Sequence, residues 1–271
     1  MKNLRIPHWK VFLIWLSLVI LVVWLFGRAL FFGPNGEIIA GDRLVWTDWP
    51  IHIGIASNFA FGNWQIPPNN PFFAGTPLTY PYVADLISGL LLKIGFDLRL
   101  AFFIPGVVLT LMFFVIYTKV VSKSLGSLKS LMYIPLILSL FWGGMGWVYW
   151  LQDVFSNETT LVANLISPPH EYTFYQEKAL WFFTFLYSEI LPQRAFLLGL
   201  PIFFLVLYLV IKGIEKQSVR NFFIAGILAG LLPFLHMHTY ISAVIFIITL
   251  FLLEGYKYQK DYFKFTFFFF L

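Results

Sequence analysis

The amino-acid sequence predicts an all-α, polytopic integral membrane protein: about six complete transmembrane helices, a truncated seventh, and short interfacial helices in two long outer loops. Three observations carry this. Hydrophobic residues make up 59% of the chain and charged ones only 11%, with a mean hydropathy of +0.80, whereas a soluble chain is about a quarter charged. Apolar runs recur at lengths close to the roughly 20 residues needed to cross about 30 Å of hydrocarbon. Finally, lysines and arginines gather at alternate ends of those runs. The chain, 1–271, reads as a single membrane domain.

The first span is expected at 11–32, with Arg28 near enough to its far end to snorkel. Lys2, Arg5 and Lys10 precede it like a signal n-region, but the run is too long and lacks a small-x-small cleavage site, so it reads as an uncleaved anchor. An outer loop follows at about 33–99. Its Pro, Asn, Gly and aromatic residues, as in Pro67-Pro68-Asn69-Asn70-Pro71-Phe72-Phe73, describe turns and aromatic platforms rather than a flexible spacer. Within it, 48–61 and 82–95 read as interfacial helices, the first capped by Thr47. Further spans are expected at about 100–118 and 130–150. A second outer loop covers about 151–194 and holds a third interfacial helix at 175–190. Three more spans follow at 195–211, 221–236 and 239–253, the second and third of them short and so tilted or shielded by protein. Residues 262–271 look like a seventh span that stops midway, as though the C-terminal part were missing.

Basic residues orient these spans. Lys2, Arg5 and Lys10; Lys119, Lys123 and Lys129; Lys212, Lys216 and Arg220; and Lys257, Lys260 and Lys264 can all face the cytoplasm at once. Apart from Glu215, Glu254 and Asp261, the acids lie in the opposite segments. The reading is a multi-pass protein of the plasma (cytoplasmic) membrane with its N-terminus inside and its large loops outside. Net charge +5 does not imply nucleic acid, because the basic residues fall between apolar runs rather than on one soluble face. The absence of cysteine excludes disulfides, thiolate metal sites and thiol nucleophiles.

Candidate chemistry begins at Thr47-Asp48-Trp49-Pro50-Ile51-His52. On a helix Asp48 and His52 are about 40° apart in rotation and about 6 Å in rise, so both face one way. Such a pair can accept a proton from a hydroxyl or bind a divalent cation. Equally, Asp48 can stabilise a helix N-terminus while His52 fills an interfacial position. Asp42, after Gly41, reads as a turn residue paired with Arg43, and Asp85 as either a cavity residue or a polar position on an interfacial helix. Gln193 and Arg194 follow Leu191-Pro192 at the outer start of the fourth span, where a guanidinium suits phosphoryl oxygens or anchors the helix to lipid phosphate, with Glu189 able to neutralise it. His236 and His238, two residues apart, suit a turn: they contact ligand or cap a helical hairpin. His170-Glu171 lacks the spacing of a zinc protease, and no Gly-x-Ser-x-Gly elbow is present.

Taken together, Asp48-Trp49-Pro50-Ile51-His52, the Pro67–Tyr82 stretch, Leu191-Pro192-Gln193-Arg194 and Leu235-His236-Met237-His238 resemble a prokaryotic branch of the polytopic C-type (GT-C superfold) glycosyltransferases. The resemblance covers nearly the whole chain. It implies transfer of a sugar from a polyprenyl-phosphate-linked donor to a lipid, glycan or protein acceptor at the outer membrane face. Asp48 then matches the acid of the first outer loop, as base or metal ligand, and Arg194 holds the donor phosphate. His52, Asp85, Gln193, His236 and His238 complete the substrate-binding set. A divalent cation is compatible with this; no metal ligands are assigned. Members of the superfold have more spans and often a soluble C-terminal domain. Two other classes stay open: a transporter or flippase of lipid-linked glycans, and a non-catalytic assembly partner.

Overall fold

A computed structural model of the chain describes residues 6–156 and 160–255. The molecule is mostly helical. Three helices are long and apolar enough to cross a membrane: α1 (His8–Gly27), α4 (Leu98–Ser124) and α8 (Arg194–Lys216). A fourth crossing arises if α5 (Tyr133–Phe141) and α6 (Gly146–Phe155), bent by 76°, act as one span. Helices α9 (Val219–Leu235) and α10 (Met237–Gly255) are apolar too, but α9 and the Met237–Leu250 stretch of α10 fall short of a full crossing. The segments expected as about six spans are thus three long helices, one broken pair and two short helices. The expected partial span at 262–271 lies outside the described residues.

Several boundaries differ from the sequence expectation. Helix α1 stops at Gly27, and the apolar residues that follow form a hairpin, β1 (Leu30–Phe32) with β2 (Ile38–Ala40), in the register Leu30↔Ala40 and Phe32↔Ile38. Apolarity alone cannot separate a helix end from a short strand, and the Gly33–Gly36 turn decides it. Helix α2 (Arg43–Phe61) begins five residues before the expected start at residue 48. Its N-cap is Asp42, whose carboxylate accepts from the Leu44 amide at 2.8 Å, while the Thr47 hydroxyl donates to the Leu44 carbonyl. Asp42 is therefore a cap rather than an Arg43 partner, and Arg43 pairs with Glu171 at 3.5 Å. The segment 175–190 is not a helix. It folds back through aromatic contacts, Phe174 against Trp181 and Phe183, and ends in a single π-helical turn, Leu186–Ile190. A short helix not foreseen, α7 (Leu161–Ile166), starts at the Thr160 cap.

Contacts at both ends of the long helices establish their directions. Arg99 donates to the Gly27 carbonyl at 3.0 Å, and Phe26 lies against Gly106 further along α4, so α1 and α4 run antiparallel. Helices α4 and α8 run parallel, with Arg194 at Phe102 on one end and a Lys123–Glu215 ion pair on the other. Helix α9 returns against α8, with Phe222 beside Gly213 and His236 beside Gly199. Lys119, Lys123, Lys212, Lys216 and Arg220 therefore share one end of the bundle, and α2 and α3 (Val83–Lys93) crown the other. A Cβ at Gly89 would come within 2.6 Å of the Ala56 carbonyl oxygen, so only glycine lets α3 lie this close on α2. The core beneath holds Val22, Phe26, Val45, Trp49, Phe102 and Leu197.

Candidate functional site

Helix α2 buries Val45, Trp49, His52, Ala56 and Phe59, a stripe at helical spacing. His52 belongs to this stripe. Asp48, one position before Trp49, lies at its border and is half-buried. The two side chains therefore reach different depths of one site.

The deeper layer is a sealed polar network. His52, Asp85, Ser88 and Arg194 are 2%, 1%, 0% and 1% exposed. Asp85 stands in the first turn of α3 and Ser88 one turn later, on the same face. One Asp85 oxygen accepts from Arg194 Nε at 3.1 Å and the other meets His52 Nδ1 at 2.8 Å. A carboxylate beside a guanidinium only accepts, so Nδ1 of His52 carries the proton. Arg194 also donates to the Ser88 hydroxyl, the Ala84 carbonyl at 3.4 Å and the Phe102 carbonyl at 3.5 Å. Its guanidinium lies 4.2 Å from the centre of the Phe102 ring. Each guanidinium nitrogen thus has a protein partner, and the counter-charge is Asp85 rather than Glu189. This geometry gives Arg194 a different place from the one the resemblance implies: it holds α2, α3, α4 and α8 together from inside, and a phosphate would have to displace Asp85 to reach it.

The shallower layer is partly exposed. Gln193 donates from Nε2 to Asp48 Oδ2 at 2.6 Å. Trp49 beside it donates to the Leu191 carbonyl at 3.2 Å, which pins α2 to the segment entering α8. Burial and the Asp48 charge hold the Glu189 carboxyl above the usual range, while His238 pulls it the other way. The Tyr80 phenol is raised by burial, then by Asp85 and Asp48, and its ring stands edge-on to His52 at 5.8 Å. Asp48 and Gln193 therefore meet directly on a rim, and Tyr80, Glu189 and His238 lie near enough to share its electrostatics.

His236 and His238 lie at the same end, in the turn between α9 and α10, their rings 5.2 Å apart. His236 caps α10: its Nδ1 accepts from the Thr239 amide at 3.3 Å, and the Thr239 hydroxyl donates back to its carbonyl. Burial, then the charge of His238, push the His236 imidazole down to about 4. Among the described residues no group of three or more His, Asp or Glu is placed to hold a metal ion.

Of the expected residues, Asp48 and Gln193 meet on the rim with His238 near them, His52, Asp85 and Arg194 meet in the buried layer, and His236 is a cap beside His238. Tyr80 and Ser88 were not singled out from sequence. Ser88 carries the signal of a polar residue three positions after Asp85, but only the approach of α8 gives it meaning. Compared with protein-family models, curated proteins and solved structures, the chain matches none.

Proposed function

We propose that this protein is a membrane glycosyltransferase acting at the outer face, with Asp48 as the base. The acceptor hydroxyl loses its proton to Asp48 as its oxygen attacks the anomeric carbon. The bond from that carbon to the phosphate oxygen breaks, and the electron pair leaves with the polyprenyl phosphate. One observation carries this reading: Asp48 is a half-buried carboxylate with one oxygen held by Gln193, on a rim whose electrostatics Tyr80, Glu189 and His238 share. The buried His52–Asp85–Arg194 layer stiffens the floor beneath it, as precise placement of a base requires. The positive end of the bundle then faces the cytoplasm, and the bent α5–α6 pair counts as one crossing among six.

The test is sugar transfer from a synthetic polyprenyl-phosphate sugar by the full-length gene product in proteoliposomes. Asp48→Asn is expected to slow transfer by about 10²–10⁴-fold, the range for a lost general base. Unchanged transfer would remove Asp48 from the chemistry. One feature favours a second reading. The 76° break between α5 and α6 is of the kind that transporters use to line a path, and movement of a lipid-linked glycan across the bilayer without covalent product would support a flippase.

A further inference from the structure

Two cavities meet at Asp42 and Tyr187, and neither is lined by Asp48, Tyr80, Glu189, Gln193 or His238. The smaller, of about 160 Å³, is walled by Trp24, Arg28, Asp42, Tyr187 and Leu191. The larger, of about 350 Å³, is bordered by Asp42, Arg43, Thr173, Thr184 and Tyr187, with Phe141 and Phe183 among its apolar walls. They share Asp42 and Tyr187, so they are two compartments of one groove. Asp42 and Asp48 are six residues apart on α2, roughly 9 Å along its axis.

The charges in this groove are unequally used. Arg43 is matched by Glu171 and lies over the Phe174 ring. Asp42 spends one oxygen on the Leu44 amide. Arg28 stacks 4.9 Å from the centre of the Trp24 ring, and among the described residues no carboxylate lies within ion-pair distance of it. The Tyr187 phenol feels both neighbours: burial and Asp42 raise its pKa while Arg28 lowers it. Arg28 also follows directly on α1, whose Ile20, Val23 and Trp24 are exposed, so the small compartment adjoins a lipid-facing surface. A planar guanidinium with open donors at the end of an apolar helix matches phosphoryl oxygens at headgroup depth. The second compartment, with hydroxyls, a carboxylate and aromatic walls, suits a polyol.

We propose that this groove binds a phosphate ester, its phosphoryl oxygens on Arg28 and its polyhydroxy portion between Asp42 and Thr184. The site is separate from the Asp48 rim and does not depend on sugar transfer, so its test reads binding rather than turnover. The ester can come from a lipid headgroup or from a soluble sugar phosphate, and the two arms of the experiment separate them.

Full-length protein in phosphatidylcholine nanodiscs is examined by native mass spectrometry, with undecaprenyl phosphate in the bilayer in one arm and glucose 1-phosphate in solution in the other. Arg28→Gln is expected to cut adduct formation about tenfold in at least one arm, and Arg28→Lys to retain part of it. Arg99→Gln, which removes a second exposed arginine at the same end, is expected to leave it unchanged. Loss confined to the first arm identifies a lipid ester, and loss in the second a soluble one. The proposal is overturned if wild-type protein binds neither probe, if Arg28→Gln binds like wild type in both arms, or if Arg99→Gln reduces binding as much as Arg28→Gln.

Discussion

The Arg194 guanidinium is enclosed from water, and among the described residues its neutralisation rests on Asp85, with Ser88 and two backbone carbonyls satisfying the remaining donors. Burying two charges is costly, and the pair persists because each completes the other. Arg194→Met is therefore expected to destabilise the protein by roughly 3–5 kcal/mol, the cost of leaving a carboxylate buried without its partner. Asp85→Asn combined with Arg194→Met removes both charges and is expected to lose less than the Arg194 change alone. Denaturant unfolding in detergent checks both. An equal or larger loss in the double variant would show that hydrogen-bond geometry, not charge balance, holds the layer. Leu191-Pro192-Gln193-Arg194 marks an arginine at the start of a helix, but reads the same whether the side chain points outward or inward. The direction follows from α3 bringing Asp85 to meet it.

Among the elements, α10 owes its first turn to an imidazole that must be neutral, because Nδ1 accepts the Thr239 amide. Held at about 4, the folded His236 takes up its proton well below the ordinary histidine value of about 6.5. Unfolded chain therefore binds the proton first on acidification, so stability is full above about 6.5, falls as pH drops from 6.5 toward 4, and levels off below. Hydrogen exchange at the Thr239 amide, corrected for its intrinsic pH dependence, is expected to show this loss. His236→Asn, which keeps an acceptor but cannot titrate, is expected to flatten it. Loss of the same size in His236→Asn would place the titrating group elsewhere. Elements were legible in sequence to different degrees. Long apolar helices announced themselves, as did α3. The start of α2 is ambiguous in sequence because Asp42 and Thr47 are both good caps, and residues 175–190 differ from the expected helix because aromatic cross-contacts, not helical periodicity, organise them.

At the scale of the whole molecule, the helix ends sort into a basic end and an end crowned by α2 and α3. Since the chain contains no cysteine, single cysteines report sidedness without background. With the basic end in the cytoplasm, cysteines at Asn70 and Glu177 are expected to react with an impermeant maleimide on intact cells, and those at Leu125 and Gln217 only after permeabilisation. The reverse pattern would invert the topology and put the Asp48 rim inside. Alternation of charge groups with apolar runs made the gathering of Lys119, Lys123, Lys212, Lys216 and Arg220 at one end of the bundle readable in advance. The depth of the site was not readable, because Asp48 and His52 share a helical face yet end in different layers once α3 and α8 pack on α2.

The Asp85–Arg194 pair also bears on biogenesis. Its members are 109 residues apart, so at about 5–20 residues per second a ribosome delivers the arginine on the order of ten seconds after the acid. Until α8 enters, Asp85 lacks its counter-charge, although α3 can already pack on α2 through Gly89. Completion of the buried polar layer is therefore a late event of synthesis, timed by the arrival of α8. A nascent chain stalled before residue 194 holds α1, α4, α5 and α6 but lacks α8, α9 and α10, and its polar layer has no guanidinium.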